Sequence, residues 1–214
     1  MPDRYDSVLA LERDAPREWW RIVPREIPGS EVLIIAPHGG GIENGTSELA
    51  ATIAGEDHNL YCFEGLRTSG NRVLHVTSHR FDEPLALELA ARCAIVVSIH
   101  GCRGVSAIHV GGLDRPLGMS LAAAFAAAGY PARLEGHPFP AVHPQNICNR
   151  GRRRAGVQLE FSSDLRGEQH RAPVAQIVRL AIASELDASR FERQSDTESY
   201  EHPAGDTVQP GYDR

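Results

Sequence analysis

Two histidines and two glutamates in this 214-residue chain stand where they could hold and use a metal ion. The segment PHGGGIENG places His38 and Glu43 five residues apart on a glycine-rich turn. Glycine permits the left-handed backbone needed to fold a carboxylate back toward an imidazole. His100 completes a two-His, one-Glu set, the ligand composition of catalytic zinc, with a fourth position open for water that zinc would acidify to a pKa of ~7. Glu160, if it reaches the open position, would be the general base that takes that water's proton.

Other chemistries are excluded or disfavoured by composition. All 22 basic residues are arginine, which rules out a catalytic lysine in a Schiff base or a Walker phosphate loop. The glycine run fails the G-x-G-x-x-G dinucleotide spacing, because Asn44 stands at the third glycine, so Glu64 is not expected to bind a ribose. No G-x-S-x-G nucleophile elbow occurs. The four cysteines are scattered without a Cys-x-x-Cys pair and are expected to be reduced thiols. Cys102, beside His100, could be a nucleophile or an extra ligand, but a bystander thiol is the expectation.

The elements that must position these residues alternate between strand and helix. EVLIIAP and AIVVSIHG are continuous apolar runs, as expected of strands covered on both faces, and NLYCFE, RVLHVTS, AIHVGG and VQLEFS also read as strands. Between them GTSELAATIAG reads as a helix with Thr46 or Ser47 as N-cap and Gly55 as stop. FDEPLALELAARC reads as a helix capped by Asp82, with Pro84 in its first turn. RPLGMSLAAAFAAAG and APVAQIVRLAIASEL complete the helices. The expected fold is α/β, a three-layer α/β/α sandwich on a mixed, largely parallel sheet. Ligands bind beyond the carboxyl ends of such strands, and His38, His100 and Glu160 all fall at strand ends. Residues 1–30 read as a loosely structured lead-in, 31–188 as the domain that carries the candidate zinc site and 189–214 as a disordered acidic tail.

The net charge of −6 is concentrated late: from Glu185 onward eight acids face three arginines, which leaves the body near neutral. No long basic stripe marks a nucleic-acid partner, and no apolar run approaches the ~18 residues of a membrane helix. The first twenty residues lack the basic and apolar regions of a secretion signal, so a cytoplasmic monomer, released by lysis if at all, is expected.

The segments APHGGGIENGTSEL, LHVTSHRFDEP, VSIHG, HVGGLD and NICNRGRRRAGVQLEFS, in that order, resemble the phage and bacterial poly-γ-glutamate hydrolase family over roughly residues 30–165. The resemblance implies a zinc carboxypeptidase-like fold, with His38, Glu43 and His100 as zinc ligands and Glu160 as the catalytic glutamate. It implies hydrolysis of γ-glutamyl amide bonds in poly-γ-glutamate. The similarity continues through Asn149 and Arg150, so these two are candidates for substrate binding, with Arg150 also a candidate for stabilising the oxyanion. Arg152, Arg153 and Arg154 form the densest basic run and could attract the polyanion. The rival readings are a zinc amidase of the N-acetylmuramoyl-alanine or N-formylglutamate type, and a non-catalytic anion-binding protein of the same fold.

Overall fold

The computed structural model describes residues 2–104 and 106–199, with side chains through Ser189. The chain divides into two compact units, Met1–Ile182 and Ala183–Arg214. The first carries the sheet and the candidate site. Of the second, the described part is a helix, and 200–214 lie outside the described residues.

Seven strands form one mixed sheet: β1 (Trp20–Arg25), β2 (Val32–Gly40), β3 (Asn59–Gly65), β4 (Ile95–Cys102), β5 (Ile108–Gly112), β6 (Ala132–Arg133) and β7 (Val157–Ser162). Their order across the sheet is β1-β3-β2-β4-β7-β5-β6. The four central strands β3, β2, β4 and β7 are mutually parallel. β1 joins one edge antiparallel to β3, and β5 pairs antiparallel with β7 on the other side. The central strands are buried along nearly their whole length, which is why they read as unbroken apolar runs rather than alternating ones.

Helices α1 (Val8–Asp14) and α3 (Pro84–Arg92) cover one face, where Val8, Leu11, Leu89 and Ala90 pack with Leu33, Ile35, Tyr61, Phe63 and Val96 of the strands. Helices α2 (Thr46–Ala54), α4 (Arg115–Ala127) and the first part of α5 (Glu168–Ser199) cover the other. There Phe125 of α4 meets Phe161 of β7 edge-on, and Arg179 of α5 donates to the last-turn carbonyls of α2. The expected three-layer sandwich is therefore the observed one.

Several local expectations are corrected. Residues 1–30 are an ordered part of the first unit: they supply α1, a 3₁₀ turn and edge strand β1. Pro24 is tolerated in β1 because an edge strand has one unpaired side. RVLHVTS is not a strand: it runs from the 3₁₀ turn Asn71–Leu74 to the 3₁₀ turn Ser78–Arg80, and Leu74 and, between the turns, Val76 enter the α1/α3 core. The cap of α3 is Glu83, not Asp82: its carboxylate accepts from the amides of Leu85 and Ala86, while Asp82 accepts from Leu9 in α1. α5 continues helically through 189–199, where a disordered tail was expected.

The chain start is fixed by one carboxylate. Asp3 accepts from the Thr77 amide and hydroxyl at 2.7 and 2.6 Å, and from His75 Nδ1 at 2.7 Å. Burial pushes the Asp3 carboxyl up, but these hydrogen bonds outweigh it and hold the group at about 2, against 3.8 for a free aspartate. The folded protein thus binds fewer protons here than the unfolded chain, so stability present above pH 3.8 is lost as pH falls toward 2. Urea unfolding at pH 5 and pH 2.5 should show a smaller loss for Asp3→Asn than for the wild type. Equal losses would remove Asp3 as an anchor.

Candidate active site

The site lies where β2, β4 and β7 end. β2 and β3 lose register between Ala36 and Gly39, so Pro37 and His38 face a single residue of β3. Such a bulge re-aims a side chain, and here it turns His38 into the cleft. Proline suits the position, since no ladder hydrogen bond is asked of it. Gly40 then turns with φ +58, and any Cβ there would crowd the Gly65 carbonyl. Thr46 and Ser47 were expected to cap α2, but Gly45 occupies that position without a side-chain bond. The two hydroxyls brace the turn instead: Thr46 donates to the carbonyls of His38 and Glu43, and Ser47 accepts from the Gly40 amide.

This turn brings Glu43 to two imidazoles. Its Oε1 lies 3.3 Å from His38 Nδ1, its Oε2 lies 3.8 Å from His100 Nδ1, and the two Nδ1 atoms are 3.1 Å apart. His38 Nε2 faces the Val76 carbonyl at 2.7 Å, which can only accept, so the proton sits on Nε2 and Nδ1 keeps a lone pair. Two acceptors, His38 Nδ1 and the Glu43 carboxylate, therefore face each other with no proton between them. His100 Nε2 lies 3.5 Å from Ser78 Oγ, which can receive its N–H and free Nδ1 to join the pair.

Burial pushes the Glu43 carboxyl up, while His38 and His100, when protonated, and the Gly101 amide draw it down. Burial, then His38, drives His100 down to about 3. At neutral pH Glu43 is a carboxylate and His100 a neutral imidazole. A buried charge costs several kcal/mol, and the single Gly101 N–H, at 2.8 Å, returns only about 1.5–3 kcal/mol. A divalent cation fits the deficit. Ligands at 2.0–2.1 Å in a tetrahedron are about 3.3 Å apart; the two Nδ1 atoms are 3.1 Å apart, and each lies 3.3 or 3.8 Å from one of the two Glu43 oxygens.

Glu160 is the residue of β7 in register with His100. It is 5 % exposed and its Oε1 accepts from Gln158, which is itself held by Asn146. Burial and the Glu43 charge push its carboxyl up to about 8. The two glutamates thus differ in kind: Glu43 is a fixed anion, and Glu160 is poised to exchange a proton. Cys102 is a buried thiol pushed up to about 11 by burial and Glu160, which suits a bystander.

His75 was missed by the sequence reading. Its ring stacks on His38 at 4.0 Å, and Asp3 takes its Nδ1 proton, leaving the Nε2 lone pair 3.9 Å from Glu43. His38, Glu43 and His75 also have donor atoms within 4.8 Å of one another, a second possible set. We place His75 beside the ligand set.

The cleft around these residues has a volume of about 1310 Å³, and its only acids among the described residues are Glu43 and Glu160. The arginines lining it are Arg72, Arg103 and Arg166, none of which composition or spacing had singled out. The expected substrate contacts fall elsewhere. Arg152 pairs with Glu31 and its amide binds the Cys93 carbonyl, so the run 152–154 sits at the amino end of the strands, opposite the site. Arg150, the candidate for the oxyanion, donates to Gln145 and is not among the residues that line the cleft. Asn149 is 1 % exposed, and its side chain bonds Leu113, Gly156, Ala141 and His143. It pins the loop that forms one wall instead of meeting a substrate.

The sequence profile of a family described as poly-gamma-glutamate hydrolase matches residues 5–173. The UPF0714 protein YndL of Bacillus subtilis strain 168 is 40 % identical over 167 residues, 77 % of this chain and 66 % of that protein. The chain thus spans just under two thirds of that relative's length. A solved bacteriophage poly-gamma-glutamate hydrolase superposes with TM-score 0.83 at 31 % identity, over 87 % of this chain and all of that one. A structure titled as zinc-free, apo YndL gives 0.77 at 35 % identity, covering 88 % and 99 %. A protein of Shewanella denitrificans OS-217 assigned as carboxypeptidase A shares the fold alone, at TM-score 0.51 and 13 % identity, with 79 % and 61 % covered.

Titration of zinc into metal-stripped protein should find about one site per chain. His38→Ala and His100→Ala should weaken it by more than the 10–100-fold typical of disturbing an outer partner, and His75→Ala by no more than that. If His75→Ala costs as much as His100→Ala, His75 is the third ligand.

Proposed function

The chain belongs to the poly-γ-glutamate hydrolase family, and from that premise we propose that it hydrolyses γ-glutamyl amide bonds in poly-γ-glutamate with a zinc ion held by His38, Glu43 and His100. The observation that carries this reading is the convergence of proton-free acceptors on one point, beside a glutamate of different protonation, inside a cleft lined by arginines. When bound, zinc would supply a Lewis acid that polarises an amide carbonyl and acidifies a neighbouring water.

The protein's own groups do the rest. Glu160 accepts a proton from the attacking water and passes it to the departing amine nitrogen. An ordinary glutamate would be a weak base for this task, and burial in β7 strengthens it. A cation held by His38, Glu43 and His100 would draw that value back down and favour the ionised carboxylate at neutral pH. The Asn146–Gln158–Glu160 chain of hydrogen bonds fixes which oxygen is engaged, leaving the other without a partner among the described residues.

Arg72, Arg103 and Arg166 suit a substrate that carries one carboxylate per residue. The same charge pattern suits a polymer with a carboxylate on every residue better than a peptidoglycan stem, whose carboxylates are fewer. Cytoplasmic residence stays part of the proposal.

Glu160→Gln keeps size and hydrogen-bonding capacity but removes the base. It should retain zinc and lose about 10²–10⁴-fold in turnover of poly-γ-glutamate. Zinc analysis and product release measured on the same preparation test both halves. Near-normal turnover would overturn the mechanism, and a wild type that binds the polymer without cutting it would favour the anion-binding reading.

A further inference from the structure

Arg166 ends the 3₁₀ turn Ser163–Arg166 that follows β7, six residues past Glu160, and it lines the cleft. It is only 9 % exposed. A guanidinium does not give up its charge, so burying it costs several kcal/mol unless an anion meets it. Among the described residues Nη1 donates to the Asn44 carbonyl at 2.5 Å, Nε has no hydrogen-bond partner, and no carboxylate lies within ion-pair distance, so Glu160 feels its charge only at longer range.

The surroundings are shaped to admit this side chain. A Cβ on Gly101 would strike the guanidinium, and one on Gly45 would lie 3.0 Å from Arg166 Cβ and its carbonyl oxygen. Two glycines from two elements, both adjoining the ligand set, leave the space it fills. With Nη1 committed to Asn44, the donors left are Nε–H and those of Nη2. They form the side-on fork that matches the two oxygens of a carboxylate.

We propose that Arg166 is a specificity residue that grips an α-carboxylate adjoining the scissile γ-amide. This rests on the γ-glutamyl reading above. In a γ-linked chain the carbon bearing the amide nitrogen also carries a free α-carboxylate, next to the reacting bond. In an α-linked chain that carboxylate has become the next amide, and the remaining charge lies at the tip of a side chain. A buried cation beside Glu160 distinguishes the two linkages by where the charge falls.

The test compares γ-linked oligoglutamate with the same oligomer whose α-carboxylates are converted to carboxamides, in wild type, Arg166→Gln and Arg166→Lys, with zinc content checked. The wild type should prefer the carboxylate by about 10–100-fold in kcat/KM, the range of a charge-assisted hydrogen bond. Arg166→Gln should bring the ratio near one while still cutting the carboxamide oligomer, and Arg166→Lys should keep part of the preference. An unchanged ratio in Arg166→Gln, or no preference in the wild type, overturns the proposal and leaves Arg166 a strut for the Asn44 turn. If Arg166→Gln does not fold, the wild-type ratio and the lysine variant decide. If the wild type cuts neither oligomer, the γ-glutamyl hydrolase reading is what fails. Calorimetric titration of γ-glutamylglutamate and its carboxamide into metal-free wild type and Arg166→Lys then decides the carboxylate grip separately: tighter binding of the diacid, weakened in the variant, supports it, and equal binding overturns it.

Discussion

His38 Nδ1 and Glu43 Oε1 face each other across 3.3 Å with no proton to share, and the sheet edge around them is arranged to keep them there. Left alone, two lone pairs at that distance repel and would drift apart or take up a proton. The Val76 carbonyl forbids the first histidine tautomer that could relieve the contact, and the Gly101 amide holds the carboxylate from its other side. The extra residue at Pro37–His38, the crowded backbone at Gly40 and the hydroxyl braces of Thr46 and Ser47 all serve this one juxtaposition. Such a local loss of stability is what the proposed cation site would require.

The parallel pairing of β4 with β7 sets the second requirement. Because His100 and Glu160 are register partners, a ligand-type imidazole and a base-type carboxylate stand side by side without further design. What separates the roles of the two glutamates is surroundings, not chemistry. Glu43 has imidazoles and a backbone amide around it, whereas Glu160 has an amide side chain and the repulsion of Glu43. One is kept charged and the other is kept exchangeable, as division of labour between two carboxylates requires.

Much of this was legible in the sequence, and the failures have physical causes. Strands such as VLIIAP and IVVSIH are buried on both faces, so their composition alone identifies them and the strand-end rule finds His38, His100 and Glu160. RVLHVTS misled because Leu74 and Val76 alternate as strand residues do, although one is buried from a 3₁₀ turn and the other from between two. Residues 1–30 misled because an edge strand with Pro24 and exposed arginines lacks an apolar signature. The run Arg152–Arg154 was conspicuous by density, but density does not say at which end of a sheet a loop emerges. Arg72, Arg103 and Arg166 are scattered singly, and His75 depends on a contact with Asp3 some seventy residues away. Arg166 alone could have been found, since the same strand-end rule that singled out Glu160 covers the turn six residues later.

The three cleft arginines do not act alike, because exposure decides what a charge can do. Arg72 and Arg103 are exposed, so water and salt screen them within a Debye length of about 8 Å at physiological ionic strength. Charges of that kind raise the local concentration of a polyanion and quicken its arrival, but they discriminate poorly between ways of presenting a carboxylate. Arg166 is screened far less, and its free fork accepts an anion in one plane and one direction. A polymer with a charge on every residue would be drawn to the cleft by the exposed pair whatever its linkage. Only a chain that places a carboxylate beside the amide over Glu160 can also satisfy the buried one. Attraction and selection are thereby assigned to different depths of one cleft, and the ligand set with its neighbouring base lies at the depth where selection is made.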